Sequence, residues 1–179
     1  MITPYADHVE EKSQTRRVLR NLRKIAPEGD GRASSLLFEE LEKQGFDLLK
    51  VVASYTSYGN EPSTQTFNSN LLSRGTQILL PHLLEDNSLE WLDSETGENL
   101  GITGISLAQI VVVPALSVDE SGMRIGQGGG SYDRALKLNS GWKVCLLHDG
   151  ELFEGQLPRE THDHKVDAVV TPTKIIRFT

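Results

Sequence analysis

Ile110-Val111-Val112-Val113-Pro114 is the stretch on which the fold turns. Four β-branched residues in succession show neither the 3.6-residue period of a surface helix nor the alternation of a half-exposed strand. A strand that is apolar on both sides needs cover on both faces, the situation of an inner strand in a parallel sheet. Proline brings no N–H to a ladder, so the strand ends at Pro114.

Outward from this run, strands and helices alternate. Residues 49–55, 76–80, 142–147 and 166–170 read as strands, with a possible edge strand at 89–92 inside a polar, weakly periodic region, 85–104. Pro81 is expected to close the strand 76–80. Helices are expected over 8–25, 32–44, 62–72 and 131–138. In the first, Val18, Leu22 and Ile25 make a narrow apolar stripe with Leu19 beside it, while Lys12, Arg16, Arg20 and Arg23 line another face. Pro27 and Gly29-Asp30-Gly31 end that helix. The second turns Leu36, Leu37, Phe38 and Leu41 inward and stops at Gly45. The third is entered with Pro62 in its first turn. This alternation predicts an α/β sandwich with a mainly parallel central sheet, in one domain spanning 1–179. Ligands in such sheets gather beyond the carboxyl ends of strands, so the loops after 55, 80, 113 and 147 are the candidates.

The hydrophobic share of 37% and charged share of 24% suit a globular protein with a core. A net charge of −7 argues against a nucleic-acid partner. It leaves room for a local basic site, because screening confines charge effects to about 8–10 Å. Cys145, the only cysteine, lies in an apolar run and reads as a small buried hydrophobe; a lone cysteine fits a reducing compartment. No secretory apolar segment and no run long enough to cross a bilayer is visible. The expectation is a cytoplasmic monomer that meets small molecules.

Gly126-Gln127-Gly128-Gly129-Gly130-Ser131-Tyr132-Asp133-Arg134, entered from Arg124, is the strongest functional signal. Four glycines in five positions free the backbone for positive φ and for close approach to a ligand. The sequence is neither a Walker A loop nor a dinucleotide fingerprint. It reads as an anion cradle for a phosphate-bearing ligand, or else as a tight structural turn. Asp133 is a candidate Mg²⁺ ligand beside the phosphates, or a carboxylate placed at a helix start. Asp163, within the polar segment 157–167, is a second candidate, or a solvated loop residue. His162 and His164 flank it and point the same way on an extended chain. A zinc pair is geometrically possible, but no third soft ligand is evident, and structural or surface histidines are the simpler reading. Lys12 and Arg16, one helical turn apart, either belong to a solvated face or reach phosphates on the glycine loop. Glu61, beyond the first strand, either starts a helix or accepts N–H groups of a heterocycle.

Taken together, these residues resemble the 5-formyltetrahydrofolate cyclo-ligase family, also called 5,10-methenyltetrahydrofolate synthetases. The most specific part is Val113-Pro114-Ala115-Leu116-Ser117-Val118-Asp119 followed by Gly122-Met123-Arg124-Ile125-Gly126-Gln127-Gly128-Gly129-Gly130-Ser131-Tyr132-Asp133-Arg134. Weaker pieces are Lys12 with Arg16, the segment 55–61, and Leu157-Pro158 ahead of His162-Asp163-His164-Lys165-Val166-Asp167. The resemblance implies ATP-dependent closure of 5-formyltetrahydrofolate to 5,10-methenyltetrahydrofolate. It also implies a three-layer α/β/α sandwich related to sugar-phosphate isomerases and CoA transferases.

By the same resemblance, ATP is held by Lys12, Ser13, Gln14, Thr15 and Arg16 and by Arg124, Ile125, Gly126, Gln127, Gly128, Gly129, Gly130, Ser131 and Tyr132. Lys12, Arg124 and Tyr132 carry catalysis. Asp133 and Asp163 bind Mg²⁺. Glu61 anchors the pterin with Thr56 nearby, and residues 127–131 lie against both substrates. No dedicated general base is expected. Two positions depart from the family pattern. Ser131 stands where an aromatic residue is common, and Gly104-Ile105-Ser106-Leu107 lacks a Glu-Pro on the expected folate side. Other readings are a non-catalytic ATP- or folate-binding paralog, and a same-fold enzyme acting on a different formamide.

Overall fold

Ile110–Val113 (β4) lies at the centre of a seven-stranded sheet, each of its side chains at most 1% exposed. The computed structural model describes residues 4–45 and 49–178, with side chains from Glu10 onward. Along the chain run α1 (Pro4–Arg23), α2 (Arg32–Lys43), β1 (Val51–Ala53), α3 (Gln65–Ser73), β2 (Gln77–Leu83) and β3 (Leu89–Asp93). A 3-10 turn (Ile102–Leu107) precedes β4. Then follow β5 (Ser117–Asp119), β6 (Arg124–Ile125), α4 (Ser131–Leu136), β7 (Trp142–Leu146), β8 (Leu152–Phe153), β9 (Ala168–Val170) and β10 (Ile175–Arg177).

The large sheet has the order β10-β9-β7-β4-β1-β2-β3. Its five inner strands are parallel, and the edge strands β3 and β10 are antiparallel. One face is covered by α2 and α3, whose Leu37, Leu41, Phe67 and Leu71 pack on Val52, Ile78, Val112 and Val144. The other face is covered by a mixed layer. Ile105 of the 3-10 turn, Ala135 and Leu136 of α4, and Val118 of β5 meet Val111, Val113 and Cys145. The expected second helical layer is therefore built from one six-residue helix, a 3-10 turn and a small sheet of order β6-β5-β8. Burial pushes the Cys145 thiol up to about 12, so it stays a protonated core side chain. No helix among the described residues is long and apolar enough to cross a membrane.

Four details differ from the sequence reading. Pro62 precedes α3 rather than entering it. Ser63 N–H donates to the Asp30 carbonyl and the Thr64 hydroxyl to the Tyr55 carbonyl, which ties 62–64 to neighbouring loops. β2 runs through Pro81, because Pro81 faces Trp91 at a position where Trp91 hydrogen-bonds away from β2, toward residues 100 and 101. On its other side β1 has already ended opposite Leu79. A missing N–H therefore breaks no ladder bond there. The two- and three-residue strands β5, β6, β8 and β10 are too short to show a period. Finally, α1 is turned over. Val18, Leu22 and Ile25 face solvent, Ile25 at 84% exposure, and the helix buries Lys12, Arg23 and part of Leu19. The carboxylates and carbonyls opposite these cations decide its orientation.

The start of β7 is fixed by Asn139, whose side-chain amide donates to Ile105 and Ala108 carbonyls while its oxygen accepts from Gly141 N–H. A Cβ on Gly141 lies 2.5 Å from the Ala108 carbonyl and 2.7 Å from that of Gln109. Gly141→Ala is expected to lower unfolding stability by about 2–3 kcal/mol through backbone displacement, measured by urea denaturation.

Candidate active site

The carboxyl ends of β1 and β4, the end of β2 and the start of β3 open onto one cavity of about 330 Å³. Tyr55, Thr56, Tyr58 and Glu61 come from the loop after β1. Pro81, Leu83 and Leu89 come from the β2–β3 hairpin, and Pro114 and Ala115 follow β4. The glycine loop closes it with Gly126, Gln127, Gly129, Gly130, Ser131, Tyr132 and Asp133; Arg23 and Arg124 supply cations. Apolar walls with a few aimed polar groups are what a planar heterocycle needs.

The glycine loop is gripped by its carbonyls. Arg16 Nε donates to Gly126 O (3.2 Å), Arg20 to Gln127 O and Oε1, and Arg134 to Gly129 O (3.1 Å) and Asn87 O (2.6 Å). The main-chain N–H groups of residues 127–130 find no acceptor among the described residues. Gly128 (φ +111°) and Gly130 (φ +66°) make this possible, since few L side chains tolerate those angles. Peptides turned with carbonyls outward and N–H groups free form an anion cradle. The six-residue α4 that follows is short, so the loop's own N–H groups and the guanidinium charges carry the attraction, more than a helix dipole. Gly128 packs against the Arg16 guanidinium, with a Cβ position 3.5 Å from its Cζ. Gly128→Ala is expected to weaken binding of an anionic ligand by this loop about tenfold by calorimetric titration, since backbone strain costs roughly 1–2 kcal/mol there.

Arg124 is the pivot beneath this loop. Its Nη1 donates to Asp133 Oδ1 (2.8 Å) and the His164 carbonyl (3.0 Å). His164 N–H returns to Asp133 Oδ1 at 3.1 Å. Burial pushes the Asp133 carboxyl up, but Arg124 and the His164 N–H more than offset it and hold it below the usual carboxylate range. Asp119, in the family-like segment, is a fastener. Its carboxylate accepts from the N–H groups of Ser121, Met123 and Leu157 and from the Ser121 hydroxyl.

Lys12, at 4% exposure, gives its ammonium to Glu160 (2.8 Å) and to both oxygens of Asp163 (2.8 and 2.6 Å). Asp163 also accepts from Glu160 N–H. Arg16 reaches the glycine loop. Ser13 and Gln14 face solvent, and the Thr15 hydroxyl bonds to its own helix at Glu11 O. Ile125 is core, packed with Leu116 and Leu157. Among the described residues, Glu160, His162 and Asp163 offer ligand atoms within 4.8 Å of one another. Neither Asp133 nor His164 belongs to that group, so among the described residues the two histidines do not share a three-ligand site. The altered stretch 104–107 lies outside the cavity. Gly104 sits against Leu100 and Trp91, where a Cβ would come within 2.8 Å of the Leu100 Cβ and 3.1 Å of the Trp91 Cβ.

Glu61 is buried, and burial pushes its carboxyl up; the N–H of Tyr58 and the charge of Arg23 offset only part of this. Tyr132 lies on the cavity wall, edge-on to Trp91 at 6.3 Å, with its buried hydroxyl unpartnered among the described residues. Burial pushes that phenol up as well, so it remains a donor.

Sequence reasoning left out Arg20, Arg23 and the hairpin residues. Arg23 follows Lys12 and Arg16 along one helical face, and its bidentate pair with Glu151 (2.7 and 2.5 Å) marks it as an inward cation. The periodicity that carries Lys12 and Arg16 carries Arg23 too.

The family model for 5-formyltetrahydrofolate cyclo-ligases matches residues 8–172. A 5-formyltetrahydrofolate cyclo-ligase of Mycolicibacterium smegmatis is 31% identical, over 91% of this chain and 94% of its own. A 5,10-methenyltetrahydrofolate synthetase structure from Mycoplasma pneumoniae shares the fold at a TM-score of 0.76 and 18% identity, over 89% of this chain and 98% of its own. Another, from Aquifex aeolicus, does so at 0.73 and 24%, over 93% and 92%. With a family match over nearly its whole length, the chain belongs to the 5-formyltetrahydrofolate cyclo-ligase family.

Proposed function

We propose that this protein uses ATP to close 5-formyltetrahydrofolate to 5,10-methenyltetrahydrofolate, releasing ADP and phosphate. The observation that carries the reading is the meeting, in one apolar cavity, of a buried carboxylate (Glu61) with a glycine loop whose N–H groups are free. A formyl oxygen is a poor leaving group. Transfer of the γ-phosphoryl group to it breaks the bond to ADP and makes an imidate phosphate. Attack of N10 on the formyl carbon then forms the new C–N bond, and the C–O bond breaks with the phosphate, the N10 proton passing to solvent.

The protein's part is positioning and charge. The loop N–H groups and Arg124 receive phosphate oxygens, with Arg16 and Arg20 holding the loop in shape. Glu61 accepts the pterin N–H groups, with Thr56, Tyr58 and the hairpin residues Pro81, Leu83 and Leu89 around the ring. Tyr132 keeps its hydroxyl for donation into the cavity. Asp133 and Asp163 are the residues that would hold Mg²⁺, directly or through water, since carboxylate oxygens are the hard donors it prefers. They stand outside one common ligand group, and Arg124 and Lys12 would have to share those oxygens with the ion. When bound, the metal neutralises triphosphate charge. Lys12 keeps Asp163 in place and adds positive charge beside it. We read the sheet as that of the sugar-phosphate isomerase and CoA transferase group. We take the protein to be a single-domain cytoplasmic monomer; the lone buried Cys145 supports the reducing compartment. The function is tested by mixing protein, Mg-ATP and 5-formyltetrahydrofolate. Near-ultraviolet absorbance of the methenyl product, with one ADP per turnover, is expected. Binding without turnover, or ADP release only with another formamide, overturns the proposal.

A further inference from the structure

His148 lies just beyond β7, at the carboxyl end of an inner strand, and is 5% exposed. The reaction above gives it no role. Its Nε2 stands 2.8 Å from the main-chain oxygen of Asn60. A carbonyl only accepts, so Nε2 carries the hydrogen. Nδ1 faces the Asp30 carboxylate at 3.7 Å. The main-chain N–H of His148 donates to Glu151 Oε2 (2.9 Å), and Glu151 is held by Arg23 in the cavity wall.

Asn60 O and Glu61 N belong to one planar peptide unit. His148 holds its oxygen, and the Glu61 N–H donates to Tyr58 O at 3.2 Å. Both polar ends of the peptide that leads into Glu61 are thus fixed. The turn around it is fastened as well, Asn60 Nδ2 to Ala26 O (2.7 Å) and Ser63 N to Asp30 O (2.8 Å). Among these fasteners the imidazole is the one side-chain donor on that peptide. Rotation of the plane would swing the Glu61 carboxylate, and a displacement near 1 Å in a positioning contact costs roughly a hundredfold.

We infer that His148 is a positioning residue for folate, holding the Asn60–Glu61 peptide so that the Glu61 carboxylate meets the pterin N–H groups. The inference rests on Glu61 as the folate anchor.

The test is steady-state kinetics with both substrates varied. His148→Phe should raise the KM for 5-formyltetrahydrofolate at least tenfold and leave that for ATP within twofold. His148→Gln, whose Nε2 can donate as the ring does, should stay within threefold of the parent for both. Because His148 acts through Glu61, adding His148→Phe to Glu61→Gln should cost no more than twofold beyond Glu61→Gln alone. If His148→Phe fails to fold, His148→Leu takes its place with the same expected result. Unchanged folate KM in His148→Phe, equal losses in the Phe and Gln variants, or multiplying losses in the double variant each overturn the inference. Glu61→Gln with a parental folate KM overturns the anchor assignment itself, and this inference with it. A crippled Glu61→Gln beside an unaffected His148→Phe overturns only the positioning.

Discussion

Glu61→Gln is expected to lose at least a hundredfold in kcat/KM for 5-formyltetrahydrofolate while making the folded protein more stable at pH 8. The two effects have one cause. Glu61 is buried among Tyr55, Tyr132 and the hairpin, and only the Tyr58 N–H and the Arg23 charge compensate it. Its folded pKa therefore lies above the unfolded value of 4.5. A group raised in this way gives its full contribution to stability below about pH 4.5 and loses it as pH rises through the folded value. At pH 8 the ionised carboxylate is a liability that the neutral amide lacks. Urea denaturation should find the variant more stable at pH 8 and equal to the parent near pH 4. Substrate is what the liability serves. Charge-assisted hydrogen bonds contribute about 1.5–3 kcal/mol each, so weakening two of them accounts for a hundredfold or more. The KM for ATP should stay within twofold. A variant that is both less active and less stable at pH 8 would assign Glu61 a structural role.

Arg124→Ala is expected to show the opposite pattern, losing stability and turnover together. The guanidinium joins Asp133, the His164 carbonyl and the cavity. Its removal leaves a half-buried carboxylate without its cation and a carbonyl without its donor. Breaking one side of a buried pair costs about 3–5 kcal/mol. The loss should be visible at neutral pH. Asp133 has a folded pKa below its unfolded value of 3.8. Its stabilising contribution is present above about pH 4 and disappears as pH falls through the folded value, so the difference between parent and variant shrinks in acid. Turnover should drop by roughly a thousandfold, the scale of one lost donor to developing charge. Arg124→Lys keeps charge but cannot span both partners, so it should recover part of the stability and little of the rate.

What the sequence disclosed follows physical lines. β4 was legible because a run apolar on both sides has few homes. The glycine loop was legible because four glycines in five positions have no packing rationale. Gly45 at φ +71° ends α2 as read. The orientation of α1 was hidden. Val18, Leu22 and Ile25 look like an inward stripe until Glu151, Glu160, Asp163 and the loop carbonyls, more than a hundred residues away, are found facing the cationic side. No local period reports on a partner that distant. The small sheet was hidden for another reason, since two-residue strands have no pattern to read. Within the site, Glu61, Thr56 and residues 124–133 converge as their positions suggested, apart from Ile125 in the core and Gly128 under Arg16. Lys12 and Asp163 meet each other, and neither is in that cavity's wall. The stretch 104–107, where a Glu-Pro is absent, packs behind Trp91 and is not among the residues that line this cavity.

The most direct measurement is a crystal structure with a non-hydrolysable ATP analogue, Mg²⁺ and 5-formyltetrahydrofolate together. The account requires the γ-phosphate within hydrogen-bond reach of the N–H groups of 127–130, the formyl oxygen in line with it, and pterin nitrogens on the Glu61 carboxylate. A triphosphate bound away from that loop, or a pterin that leaves Glu61 untouched, contradicts it.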